Sequence, residues 1–126
     1  MAPNVEEAIA EIRETFPGLR VEVEPEAQGG AYVVVHDLEF DRLYTPERTW
    51  IGFSIPFQYP DVDVYPHFAD AALARVDGTA LASAFQKTMW RGQPVTQISR
   101  RSNRWNAATD TAALKLRKVL AWMRDH

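Results

Sequence analysis

Residues 48–66 read RTWIGFSIPFQYPDVDVYP. The opening part, Arg48 to Ile55, is rich in aromatic and β-branched residues, which suit a pleated, half-buried strand. Pro56, Pro60 and Pro66 then break the chain into an extended piece in which Val62 and Val64 alternate with Asp61 and Asp63. Because interior strands resist proline, this piece is expected to form a short strand at a sheet edge. The stretch therefore predicts a strand over 48–55 and a short, proline-flanked fourth strand after it.

Upstream, residues 31–36 (AYVVVH) form a β-branched run, and residues 19–25 (LRVEVEP) alternate Leu19, Val21 and Val23 against Arg20, Glu22 and Glu24. The turn signal Gln28-Gly29-Gly30 joins these two runs as a hairpin with an acidic outer face. Before Pro17-Gly18, the residues Val5, Ile9, Ile12 and Phe16 recur at helical spacing, predicting a helix over 4–16 with Asn4 as its cap. Downstream, residues 67–93 lack a long periodicity and are expected to form an irregular connection, with a helical turn near Ala80–Phe85. Connections of that length are often functional surfaces. The chain closes on a helix capped by Asn106 or Thr109, in which Ala112, Leu116, Val119, Leu120 and Met123 form the buried stripe. Lys115, Arg117, Lys118 and Arg124 suit the dipole at its C-terminal half. Helix, four-strand meander, irregular segment and helix make an α+β class with a mainly antiparallel sheet.

The 126 residues, 46% apolar and 25% charged, suit one domain over 1–126, with no repeats and no dividing linker. No stretch approaches the roughly 20 apolar residues that span a membrane, and the acidic N-terminus is unlike a signal peptide, so the expected compartment is the cytoplasm. The chain has no cysteine, which excludes disulfides, thiolate metal sites and a cysteine nucleophile. The net charge of −3 conceals a division: residues 1–63 carry 4 Lys/Arg and 13 Asp/Glu, and residues 64–126 carry 10 and 4. An acidic face and a basic face favour oriented protein partners.

Tyr59-Pro60, the following Val62-Asp63-Val64-Tyr65-Pro66 and the Trp105-Asn106 pair stand in an order that resembles the ubiquitin-conjugating (UBC-like) family. Ser99-Arg100, Trp105-Asn106 and Asp110 bring the resemblance closest to its divergent bacterial members, prokaryotic family E. The resemblance implies a UBC-like fold and a place in a bacterial ubiquitin-like conjugation pathway, beside an activating enzyme, a ubiquitin-like protein and a metallopeptidase. It also implies a catalytic cysteine about eight residues before the tryptophan, and counting back from Trp105 puts Gln97 there. The family's His-Pro-Asn order is absent, and Pro66-His67-Phe68 supplies only a histidine near its place.

Glutamine is neither a nucleophile nor a leaving group for acyl transfer. Ser99 and Ser102 could instead carry an oxyester, but a hydroxyl needs a general base, and His67 is the histidine placed to serve. The plain alternative is that both serines are polar loop groups. Asp61, Asp63, His67 and Asp70 match no metal motif, and a strand with valines in and carboxylates out yields the same letters. Neither a metal nor another cofactor is implied. Arg100, Arg101 and Arg104, beside Trp105, are read as a basic loop for an acidic protein partner, because a pI of 5.6 argues against nucleic acid. Met89 and Trp90 have the composition of an interface hot spot. The expected role is a non-catalytic binding subunit for a ubiquitin-like protein or an active conjugating enzyme. The alternatives are a serine-based acyl carrier and a stand-alone interaction module of the same fold.

Overall fold

The computed structural model describes residues 1–126. Helix α1 spans Pro3–Thr15 and helix α2 spans Ala112–Asp125, with eight strands between them. Strands β1 (Val21–Pro25), β2 (Ala31–Glu39), β4 (Arg48–Ile55), β5 (His67–Asp70), β7 (Phe85–Trp90) and β8 (Gln93–Ile98) form one sheet in the order β1-β2-β4-β5-β8-β7. Every neighbouring pair is antiparallel. The two-residue strands β3 (Tyr44–Thr45) and β6 (Ala74–Arg75) pair separately.

The α+β class with flanking helices holds, but the sheet has six strands where the sequence suggested four. Residues 61–64 form no strand, and the fourth strand of the meander is β5, whose His67, Phe68 and Ala69 pair with Phe53, Gly52 and Ile51. The supposedly irregular segment holds β5, β6, β7 and the start of β8, and residues 80–85 form no helix. Its clearest strand signal was the tight turn Arg91-Gly92, where both residues have positive φ, the geometry of a two-residue hairpin. Lys87 anchors β7, its ammonium donating to the carbonyls of Ala71 and Leu73 and to Thr96 Oγ1.

Both helices lie on one face of the sheet. Val5, Ile9 and Ile12 of α1 and Leu116, Val119 and Met123 of α2 are buried with Val33, Val35, Ile51, Phe53 and Ile55 in one core cluster. Two hydroxyls tie the ends of α2 to the rest of the core: Ala112 N–H donates to Tyr59 Oη at 3.0 Å, and Tyr44 Oη–H donates to the Met123 carbonyl at 2.8 Å. The caps differ from those expected. Ala2 precedes α1 and Pro3 opens it, where the missing N–H costs nothing. Thr111 caps α2, accepting from Leu114 N–H at 3.1 Å and donating to Glu11 of α1 at 2.6 Å.

Candidate functional site

Strand parity separates the residues proposed for a shared centre. In the β5–β8 ladder His67 faces Ile98 and Phe68 faces Gln97, and successive side chains point to opposite faces. His67 thus lies on the helix-covered face and Gln97 on the other. Gln97 is held in mid-sheet between Phe68 and Gln86, and its amide donates to Ser99 Oγ at 3.0 Å. Hydrogen bonds to Ser99 and Arg101 in turn hold the Tyr65 phenol below its ordinary pKa.

His67 is fully enclosed against the Phe53 ring, with centroids 5.1 Å apart, and neither ring nitrogen has a hydrogen-bond partner. Burial, reinforced by repulsion from the Lys115 ammonium and opposed by Asp63, pushes its pKa down to about 3. A general base must come within hydrogen-bond reach of the proton it takes, and His67 bonds to neither Ser99 nor Ser102. The histidine–serine pair is not assembled.

Ser102 belongs to a different cluster, centred on a lysine. Lys115 Nζ, on the inward side of α2 and only 4% exposed, donates to Ser102 Oγ at 2.7 Å and to Asp63 Oδ2 at 3.1 Å. Asp63 accepts in addition from Ser102 N–H at 2.8 Å and from Ser102 Oγ–H at 3.1 Å. Burial lowers the Lys115 pKa against the opposing pull of Asp63. The proton of Ser102 points to a carboxylate and its lone pair to an ammonium, so the hydroxyl pins residues 100–104 and the 61–66 loop to α2. Asp63, one of the carboxylates that alternate with valines, is thus turned toward this cluster. No group of three or more His, Asp or Glu side chains converges anywhere in the fold.

A cavity of about 300 Å³ opens beside this cluster, between residues 100–104 and α2. Arg100, Arg101 and Arg104 line it, together with Lys115 and Lys118, so the basic loop has its cations gathered around one hollow. Arg100 lies over the Trp122 ring at 4.8 Å and Arg101 over Tyr65 at 4.5 Å.

The two hot-spot candidates part company. Met89 is 61% exposed. Trp90 folds over the outer sheet face, stacked on Phe68 at 4.6 Å and beside Trp50 and Tyr32. Its ring occupies the space above Gly52, where a β-carbon would stand 2.6 Å from it. Arg91, the next residue, lies over Tyr32 at 4.1 Å and pairs with Glu24 of β1, so the hairpin tip crosses most of the sheet.

Sequence reasoning gave both Lys115 and Lys118 to the helix dipole. Lys115 had a signal: it stands three residues after Ala112 and four before Val119, on the apolar stripe itself. The residues behind the family resemblance build one local structure. Trp105 Nε1–H donates to the Pro60 carbonyl at 2.6 Å, its ring packs near Tyr59, and Asp110 accepts from Asn106 N–H at 2.7 Å. No helix is long and apolar enough to cross a membrane. In comparisons with known proteins, the family described as prokaryotic E2 family E matches residues 14–126. No curated protein and no solved structure matches the chain.

Proposed function

The chain belongs to prokaryotic E2 family E, and from that premise we propose that it is a non-catalytic E2-like subunit that binds a ubiquitin-like protein or an active conjugating enzyme in a prokaryotic ubiquitin-like pathway. The observation that carries this reading is the state of the expected nucleophile position. The 126 residues contain no thiol, and Gln97 at the spacing-matched place sits in mid-sheet, facing away from His67. A thioester carrier needs an accessible thiolate, and none is available.

Two surfaces suit partner contact. Met89 at the hairpin tip offers exposed apolar area beside the anchored Trp90 ring. The Arg100, Arg101 and Arg104 loop offers positive charge to an acidic partner, where charge complementarity sets orientation and association rate. The test is binding of the purified chain to a ubiquitin-like protein and to a cysteine-bearing conjugating enzyme from the same genome, followed by calorimetry. The proposal expects a non-covalent complex with one of them, weakened at least tenfold by Arg101→Glu with Arg104→Glu or by Met89→Asp. Binding to neither would leave the stand-alone interaction module as the better account.

A further inference from the structure

The basic cavity also has the make-up of a small-molecule site. Of the ten residues that line it, five are cationic and one, Asp110, is anionic. With Asp63 counted, which pairs with Lys115 from behind the wall, this leaves a surplus of three positive charges around one hollow of about 300 Å³ in a chain of net charge −3. The carboxylates nearby do not neutralise it. Lys115 is paired with Asp63 and Lys118 with Asp110, but Arg100, Arg101 and Arg104 have no carboxylate within 4.0 Å. Of the eight arginines elsewhere, Arg20, Arg42, Arg48, Arg75, Arg91 and Arg124 each sit on an acidic side chain, while Arg13 and Arg117 pair with none.

The cations also act on one another. After burial, which is the largest cause, the charges of Lys118 and Arg100 both work to lower the Lys115 pKa. Like charges held together in the unliganded chain are relieved by an anion, and the more so the more charge it carries. A single carboxylate would offset one of the three surplus charges, whereas linked phosphates offset most of them and match the planar guanidinium fork. Ser102 and Asn103 add neutral polar groups to the wall. Trp122, the aromatic ring in that wall, already packs against Arg100 at 4.8 Å, His126 at 4.5 Å and Phe85 at 5.3 Å, so the cations are the main recognition groups of the wall. The ligand is read through its phosphates.

We propose that the cavity between residues 100–104 and α2 binds a compact polyphosphate, either inorganic or the phosphate chain of a nucleotide. This goes beyond the subunit reading and does not depend on it, because the site lies within one chain. Since Arg101 and Arg104 are also offered to a protein partner, a bound polyphosphate would compete with that partner.

The experiment is isothermal titration of the full chain with tripolyphosphate, with pyrophosphate, ATP and a glutamate-rich peptide of matched charge in parallel. Saturable one-site binding of tripolyphosphate is expected, falling at least tenfold in Arg100→Gln and again in Lys118→Gln, with the thermal melting of each variant confirming that it folds. Arg117→Gln, on the same helix but outside the cavity, should bind as the parent does. Equal affinity for ATP and tripolyphosphate would identify the phosphate chain itself as the ligand, and tighter binding of ATP would identify a nucleotide; both support the site. No binding at millimolar tripolyphosphate, an equal loss in Arg117→Gln, or tighter binding of the peptide would overturn it.

Discussion

The two faces of the six-stranded sheet are built on different principles. The inner face carries Val33, Val35, Ile51, Phe53 and Ile55 under two helices, closed by aliphatic packing with almost no exposure. The outer face carries the rings of Tyr32, Trp50, Phe68 and Trp90, and it is crossed by the tip of the β7–β8 hairpin, which is held by ring contacts and the exposed Arg91–Glu24 pair. Burial of aliphatic area dominates folding energy, while exposed ion pairs contribute little. The inner face therefore sets whether the chain folds. The outer tip contributes less to that energy and is perturbed at smaller cost.

Substitutions on the inner face should have the largest effect. Leu116→Ala, at a position with no exposure, is expected to cost about 2 to 5 kcal/mol in chemical denaturation through lost transfer energy and the cavity it leaves. A loss below about 1 kcal/mol would mean that α2 is not a principal cover of the sheet. Acid probes the same face through His67. Its folded pKa of about 3 lies below the ordinary 6.5, so between those values the unfolded chain binds the extra proton. The contribution of His67 is thus full above pH 6.5 and is lost as pH falls toward 3, at about 1.4 kcal/mol per pH unit. Stability measured from pH 7 to 4.5 should fall less steeply in His67→Leu than in the parent. Parallel curves would show that the imidazole is not held neutral.

The outer face responds more mildly. Gly52→Ala places a methyl 2.6 Å and 2.8 Å from two atoms of the Trp90 ring, so the tip must shift at a cost of about 1 to 3 kcal/mol. Combining it with Trp90→Ala should relieve that cost, making the pair less than additive, with tryptophan fluorescence reporting the displaced ring. Full additivity would deny the contact. Smallest of all, Arg91→Ala should cost under about 1 kcal/mol and be read chiefly as faster amide hydrogen exchange at residues 89–93.

How far these features could be read from sequence follows the same division. The inner face announces itself: Arg48 to Ile55 is a strand with the bounds its composition suggested, and the stripe Ala112, Leu116, Val119, Leu120 and Met123 is buried as its spacing requires. The outer and edge elements are quieter, because strands β7 and β8 read FQKTMW and QPVTQI, with polar residues on both faces and a proline beside the turn. The pattern Asp61-Val62-Asp63-Val64 misled in the opposite direction. Val64 is buried, but Asp63 faces Ser102 and Lys115, so alternation arose from a tethered loop and not from a strand. The candidate site was legible in its arginines, which are close in sequence. It was hidden in Lys115 and Asp63, which are 52 residues apart and meet only in the fold.

On the proposed function this E2-like chain binds a partner and forms no covalent bond to it. The decisive measurement is its intact mass, recorded without reductant after incubation with an activating enzyme, a ubiquitin-like protein and ATP. An unchanged mass, with no covalent adduct of the ubiquitin-like protein, is the predicted result. A hydroxylamine-labile adduct of the ubiquitin-like protein, mapped to Ser99 or Ser102 and lost when that serine is replaced by alanine, would contradict it.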